Sequence, residues 1–203
     1  MLLSRFGYYT DFVAYPIVAI GLTAVNFTRP TQQISQWAAA VALGLVVWSL
    51  LEYGIHRGVL HRLPFFSPMH ATHHGAPLAL IGTPTWVSIP VWCGTLLLPL
   101  WLLCGHDLAT GTTSGVMLGY WWYGIVHHVI HHSAHNPLLS YFERRRAWHL
   151  RHHYQRASGN FGVTTSVWDH LFGTTISPLK ERESRSKVAA RITAAAAHRR
   201  VAR

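Results

Sequence analysis

Acidic residues are scarce in this 203-residue chain, which has seven Asp and Glu against 17 Lys and Arg. Charged residues make up only 12% of the sequence, about half of the roughly 25% usual in soluble domains, while half of the residues are hydrophobic. Only two cysteines occur, Cys93 and Cys104, both inside an apolar run, which excludes a disulfide framework and a Cys-x-x-Cys metal site. These shortages exclude an ordinary soluble domain and a carboxylate-built metal bundle. They favour an all-α integral membrane protein.

Four apolar segments predict membrane-spanning helices, because about 20 residues rising about 1.5 Å each cross about 30 Å of hydrocarbon. They run from Phe12 to Phe27, from Trp37 to Tyr53, from Thr85 to Cys104 and from Leu108 to Val126. The first segment is interpreted as a retained span rather than a cleavable signal peptide.

The basic residues predict the orientation of these spans. With four spans, both termini and the middle loop share a side, and that side holds 16 of the 17 Lys and Arg, whereas the opposite loops hold only Arg29. The positive-inside rule then makes the basic side cytoplasmic. Because the bases are segregated in this way, no nucleic-acid partner is predicted.

A cap of short helices is predicted on the same side. Asn136 followed by Pro137 resembles a helix start, so a surface helix is expected from Pro137 to Tyr154. A turn over residues 158–162 and a short stretch ending at Gly173 follow. Residues 1–178 are predicted to form one membrane-embedded domain, and residues 179–203 a basic, alanine-rich tail that is disordered or lies on the membrane surface.

Sixteen histidines occur, and 13 of them lie in two regions, 56–74 and 127–153. Residues three and four apart share one face of a helix, and this spacing recurs in three histidine clusters. His56 and His61 are five apart, which predicts a helix end or a widened turn between them. The run from 127 to 132 offers two alternative faces, His127 with His131 or His128 with His132.

The four histidine clusters fall on the same predicted side of the membrane, so they can converge on one site. Imidazole suits iron, zinc, copper or nickel, but ten histidines exceed the four ligands of a zinc site. Two metals, neutral ligands and a membrane position favour a di-iron centre. The alternatives are an interfacial histidine belt or a proton relay. Hydrogen-bonding or interfacial roles are expected for the isolated histidines, which are His106, His135, His170 and His198.

Three further features have two interpretations each. Glu52 either orients a ligand, being one turn before His56, or caps the end of its span. Asp169 is either a partner of a ligand or a turn residue. The run Arg144 to Arg146 is interpreted as contacting lipid headgroups rather than as catalytic.

These motifs resemble the fatty acid hydroxylase superfamily of membrane di-iron enzymes, and most closely its fatty acid 2-hydroxylases. The resemblance covers roughly residues 40–175 and rests on Glu52-Tyr53, the four histidine boxes, Tyr123, the 160–165 segment and the 168–174 segment. It implies ten metal ligands, which are His56, His61, His70, His73, His74, His127, His131, His149, His152 and His153. Gly124 departs from the pattern, because an acidic residue that would support a ligand is expected after Tyr123.

The resemblance implies oxygen-dependent hydroxylation of a lipid acyl chain, with two iron ions as cofactors and dioxygen as co-substrate. Zinc is expected as a substitute in purified samples. The expected partners are the lipid substrate, membrane lipids and a separate electron donor, either a haem protein or a ferredoxin with its reductase. The alternatives are a sterol desaturase or carotenoid hydroxylase on the same scaffold, a histidine-lined metal or proton transporter, and a zinc-dependent lipid hydrolase.

Overall fold

The computed structural model describes residues 1–155 and 158–176, and over these residues the chain is helical. The only β pairing among them is an isolated bridge between Leu2 and Ile81. The helices are α1 Arg5–Phe27, α2 Ile34–Gly54, α3 Ser67–Gly75, α4 Thr85–Trp92, α5 Leu98–Cys104, α6 His106–His132, α7 Ser140–Tyr154 and α8 Val167–Leu171. The predicted tail and the domain boundary at residue 178 lie outside the described residues.

Three helices in the described part of the chain are long and apolar enough to cross a membrane. They are α1, the segment Ile34–Leu60 that begins with α2, and the continuous helix Thr85–Cys104, in which the π-helical stretch Cys93–Leu97 joins α4 to α5. Their large apolar side chains point outward, as expected where lipid is the solvent. The third segment has the predicted bounds, whereas the first begins at Arg5 and the second extends from Ile34 to Leu60, so both predictions were too short.

The predicted fourth span lies within α6, a helix of 27 residues that is not among the three most apolar ones. Its first half carries small and polar residues, and residues 109–117 are buried. The helix packs mainly against α2 and α1. Because its neighbours enclose it, α6 has less need of an apolar surface for lipid, and its crossing of the membrane remains a prediction.

The backbones of α2 and α6 touch at a pair of glycines. A Cβ atom added to Gly115 would lie 2.9 Å from the Cα of Gly44 and would collide with the Val41 carbonyl oxygen. Small residues permit this close approach of helices in membranes. The contact fixes α6, which carries histidines at its end, against α2, which leads into the first histidine cluster.

A widened helical turn follows α2, as the five-residue spacing predicted. Residues Ile55–Leu60 form a π-helix. Its hydrogen bonds run between residues five apart, so His56 and His61 project from the same face. The irregularity is therefore the feature that lets both histidines face one centre.

The predicted start of α7 was wrong by three residues. The Leu138 amide donates to the Asn136 side-chain oxygen at 3.1 Å, and the Leu139 amide donates to the Asn136 carbonyl at 3.0 Å. Asn136 therefore closes a turn on itself, and α7 begins only at Ser140. Its end at Tyr154 is as predicted.

We expect Gly115→Ala to reduce the free energy of unfolding by about 1–3 kcal/mol, because the added methyl forces the α2 and α6 backbones apart. Gly21→Ala in α1 is the matched control, since a Cβ there meets nothing within 4 Å. Denaturant unfolding of both variants in detergent measures the difference. Equal stabilities would show that the glycine contact does not hold α6 in place.

Candidate metal centre

The ten histidines implied as ligands form two groups of five. In each group one ring nitrogen per residue lies within 4.8 Å of the corresponding nitrogens of the other four. The first group contains His56, His61, His70, His74 and His152. The second contains His73, His127, His131, His149 and His153. Either group can hold one metal ion.

The two short helices α3 and α7 each serve both groups. In α3, His70 and His74 face the first group while His73 faces the second. In α7 the arrangement is reversed, because His149 and His153 face the second group and His152 faces the first. The remaining ligands come in pairs, one pair from the end of the α2 segment and one from α6. Because α3 and α7 each supply ligands to both groups, they link the two groups into one centre.

Four Nε2 atoms of the first group form a closed ring. The successive distances are 3.1 Å from His70 to His61, 3.1 Å from His61 to His152, 3.1 Å from His152 to His74 and 3.0 Å from His74 to His70. His56 adds a fifth Nε2 atom, 3.0 Å from that of His70. In the second group the Nε2 atoms of His127 and His73 are 3.1 Å apart, and that of His149 lies 3.0 Å from those of His131 and His153.

These spacings fit a bound cation better than hydrogen bonds. A neutral imidazole has one donor and one acceptor nitrogen, so one His70 Nε2 atom cannot be satisfied by three neighbouring Nε2 atoms. With metal–nitrogen bonds of about 2.1 Å, ligands at right angles lie about 3.0 Å apart and tetrahedral ligands about 3.4 Å apart. The observed distances match the right-angled arrangement, which accommodates five or six ligands.

The histidines of the cap are held in the neutral form that binds metals. Burial, together with the neighbouring histidines, lowers the pKa of His73 to about 4 and that of His152 to about 3. The same causes lower the pKa of His70 to about 2. Their ring nitrogens therefore present lone pairs to the centre at neutral pH.

Backbone carbonyls orient two ligands of the first group from behind. The Nδ1 atom of His56 lies 2.5 Å from the Phe161 carbonyl oxygen, and that of His152 lies 2.8 Å from the Gly159 carbonyl oxygen. When Nδ1 carries the proton and donates to a carbonyl, Nε2 is left free to bind a metal. The segment from Gly159 to Thr164 thus sets the direction of both rings.

Two buried carboxylates hold this segment in place. Glu52 accepts hydrogen bonds from the amides of Val163 and Thr164 at 2.5 and 2.8 Å and from the Thr164 hydroxyl. Asp169 accepts from the amides of Phe161 and Gly162, both at 2.8 Å. Glu52 therefore does not cap its span, and it orients ligands only through this segment rather than by contact with one of them. Asp169 likewise acts on the ligands only through the segment.

Two of the three consecutive arginines bind the protein rather than lipid. Arg145 is buried and donates to the Val163 and Gly162 carbonyls at 2.6 and 2.5 Å. Arg146 donates to the carbonyls of Ile130 and Val129 near the end of α6. The predicted headgroup contact is wrong for these two residues, and only Arg144 is exposed. No feature of the sequence distinguishes Arg145 except its position four residues before His149.

The ambiguous run resolves in favour of His127 and His131. The ring of Tyr123 stacks on that of His127, with centroids 5.5 Å apart. His128 and His132 stack on each other outside both groups, and the His128 Nδ1 atom lies 3.3 Å from the Tyr8 hydroxyl.

The isolated histidines also lie outside both groups. His106, His135 and His170 contact Asn26, Glu143 and the Ser166 carbonyl, respectively, and His198 lies beyond the described residues. A Cβ atom at Gly124 would meet nothing within 4 Å, so that position supplies no support to a ligand.

Comparison with known proteins identifies the family. Residues 41–174, more than half of the chain, match the fatty acid hydroxylase family. The chain belongs to this family. The matched residues almost coincide with the range of roughly 40–175 over which the motifs resemble the family, and they include all ten clustered histidines.

The relatives similar to this chain include fatty acyl 2-hydroxylases and a ceramide very long chain fatty acid hydroxylase. The chain is 36% identical over 149 residues to a dihydroceramide fatty acyl 2-hydroxylase of Arabidopsis thaliana, covering 66% of this chain and 59% of the relative. It is 32% identical to a fatty acid 2-hydroxylase of Macaca fascicularis, covering 70% of this chain and 41% of that protein. The chain therefore spans about half the length of these relatives.

A solved structure shows the same fold. The full-length scs7p structure, in which only the hydroxylase domain is visible, superposes with a TM-score of 0.73 at 25% identity. The alignment covers 85% of this chain and 67% of that one. The helical arrangement is thus that of a hydroxylase domain of this family.

We expect Asp169→Asn to weaken metal retention about 10- to 100-fold and to cost about 1–3 kcal/mol in the free energy of unfolding. The asparagine side chain must direct its NH2 group at either the Phe161 or the Gly162 amide, and neither amide can accept. Metal loss to a chelator and denaturant unfolding measure the two effects.

Asp107→Asn is the control for this prediction, because Asp107 accepts only from the Gln33 amide, at 3.2 Å, among the described residues. If the Asp169→Asn variant retained metal as well as this control, the segment from Gly159 to Thr164 would not be what orients the ligands.

Proposed function

We propose that the chain hydroxylates a lipid acyl chain at carbon 2, using two iron ions held by the two histidine groups. The observation that carries the proposal is the meeting of ten imidazoles in two five-membered groups in a member of this family. The two relatives named above are a dihydroceramide fatty acyl 2-hydroxylase and a fatty acid 2-hydroxylase.

Each histidine group would hold one iron ion. His56, His61, His70, His74 and His152 form the first set of ligands, and His73, His127, His131, His149 and His153 the second. Right-angled spacing of the nitrogens and five imidazoles per ion favour iron over zinc, which prefers four tetrahedral ligands. Zinc in an aerobically purified sample would be a substitute. Bound iron supplies the oxidising chemistry with dioxygen.

The chain itself holds the ions and positions the lipid. Hydroxylation of a C–H bond inserts one oxygen atom of O2, and the other becomes water, which consumes two electrons and two protons. The lipid that is hydroxylated does not provide these electrons. We propose that a separate donor does, either a haem protein or a ferredoxin with its reductase.

The depth of the histidines in the helices supports attack near the polar end of a lipid. His56 lies four residues before the end of the span Ile34–Leu60, and His127 lies five residues before the end of α6. Both ions would therefore sit close to the membrane boundary. An acyl tail in the hydrocarbon would present its first carbons, next to the carboxyl or amide carbon, at this level.

Alternative activities on this scaffold have less support. The relatives found are acyl 2-hydroxylases and ceramide hydroxylases rather than sterol desaturases or carotenoid hydroxylases. A transporter or a zinc hydrolase would not need ten converging imidazoles, since a catalytic zinc ion takes three protein ligands.

We expect cells that express the chain to accumulate acyl lipids with one added oxygen at carbon 2, as measured by mass spectrometry of hydrolysed lipid extracts. His127→Ala should abolish this product, because it removes one ligand of the second group. His128→Ala, on the outer face of the same helix, should retain it. Unchanged product in the His127 variant, or products that have lost two hydrogens instead, would contradict the proposal.

We further propose that the metal centre and both termini face the cytoplasm, following the segregation of basic residues. In a background with Cys93 and Cys104 changed to Ser, Phe65→Cys should resist a membrane-impermeant maleimide in intact cells and react after lysis. Thr31→Cys, in the loop between α1 and α2, should react in intact cells. The reverse pattern of labelling would place the centre on the opposite side.

A further inference from the structure

A basic cavity lies on the outer face of α7, away from the histidines. Its volume is about 460 Å³, and three arginines, Arg144, Arg145 and Arg151, contribute to its lining. His149, His152 and His153 project from the other side of the same helix into the metal groups. The cavity is therefore separate from the candidate metal centre.

The arginines of the cavity keep donors that the protein does not use. A guanidinium has five N–H donors, and Arg145 uses two of its nitrogens on the Gly162 and Val163 carbonyls. Arg151 donates from two nitrogens to the Ala147 and Ile176 carbonyls. Arg144 has no acceptor in the part of the chain that the structure describes.

The ring of Trp148 contacts two of these arginines. The guanidinium carbons of Arg145 and Arg151 lie 5.5 and 5.8 Å from the centre of its ring, within the range of cation–π contact. Its indole N–H is buried without an acceptor among the described residues. Thr165 and Ser166 add hydroxyl groups to the lining, and no acidic residue belongs to it. Glu52 and Asp169, which bind the segment beside the cavity, offset part of the charge of Arg145.

Contacts with the membrane-spanning helices place the cavity at the level of lipid headgroups. The Trp168 indole N–H donates to the Ser49 hydroxyl at 3.1 Å, and Ser49 precedes His56 by seven residues, or about 10 Å along α2. Tyr141, which also lines the cavity, stacks on Trp122 of α6. This flank of the cap thus extends alongside the helices, past the metal ligands toward the hydrocarbon.

Exposed apolar side chains border the same flank. Leu138 is 89% exposed just before α7, and Val167 and Leu171 of α8 are 59% and 67% exposed. Apolar side chains beside arginines are typical of a surface that enters the boundary between headgroups and acyl chains. A soluble anion would gain nothing from these residues, whereas a phospholipid would contact them with its tails.

From the cavity, its unused donors and its apolar border, we infer that the outer face of α7 binds the phosphate of an anionic phospholipid. The phosphate oxygens accept charge-assisted hydrogen bonds from Arg144 and Arg151, which suit the planar donor pattern of guanidinium groups. The bound lipid ties the outer face of α7 to the bilayer and so stabilises a helix that supplies three of the ten clustered histidines. This site does not depend on the proposed hydroxylase activity.

The test uses the full chain in nanodiscs of phosphatidylcholine with or without phosphatidic acid. Phosphatidic acid should raise the midpoint of thermal unfolding, since a ligand that binds only the folded state stabilises it. Native mass spectrometry should show the lipid retained. Arg144→Gln with Arg151→Gln should reduce retention about tenfold and remove the thermal shift, whereas Arg5→Gln at the start of α1 should change neither.

Two outcomes would overturn the inference. One is an equal thermal shift in the double variant and the wild type, which would place the lipid elsewhere. The other is the same shift with inorganic phosphate in pure phosphatidylcholine nanodiscs, which would show a site for free anions. If the double variant does not fold, the single variant Arg144→Gln serves, because Arg144 is exposed and holds no described part of the chain.

Discussion

Imidazole lone pairs that face one another at about 3 Å impose the strongest constraint on this molecule. Neutral histidines so arranged repel unless protons or cations lie between them, and a neutral imidazole carries only one ring proton, which cannot satisfy an Nε2 atom with several such neighbours. One Nε2 atom, that of His70, has three such neighbours. Cations shared by several nitrogens satisfy the whole set. The helices, the π-helical turn and the supporting segment all serve to bring these nitrogens together.

Three successive sets of contacts support the ligands of the candidate metal centre. Carbonyls of Phe161 and Gly159 orient two rings, and the carboxylates of Glu52 and Asp169 hold the segment that carries these carbonyls. Arg145 binds the same segment from α7. Glu52, Asp169 and Arg145 are buried, and each is hydrogen-bonded to this segment. Removing one of these side chains would leave backbone groups of the segment without a hydrogen-bond partner. Contacts within the protein thus orient His56 and His152.

Much of this could be predicted from the sequence, because the relevant signals are local. Hydropathy located three of the four predicted spans, the five-residue interval between His56 and His61 predicted a helix end or a widened turn, and the histidine spacing together with the family resemblance selected the ten residues that cluster. That α3 and α7 each supply ligands to both histidine groups could not be predicted. Residues three and four apart lie on one face of a helix, so spacing alone places His70, His73 and His74 together. In the structure, His70 and His74 belong to the first group and His73 to the second.

The remaining differences arise from tertiary contacts. Nothing local indicates that the Glu52 carboxylate meets amides more than a hundred positions away, or that Arg145 and Arg146 turn inward while Arg144 does not. The start of α7 was misjudged because Asn136 satisfies nearby amides in a turn as well as at a helix cap. The stretch of α6 that is poor in apolar residues is explained only by the helices that surround it.

The most direct measurement is the metal content and Mössbauer spectrum of protein purified and reconstituted with iron in the absence of oxygen. We expect two iron ions per chain, in nitrogen-rich sites of five or six ligands. One ion per chain, or no iron retained by a folded protein, would contradict this expectation.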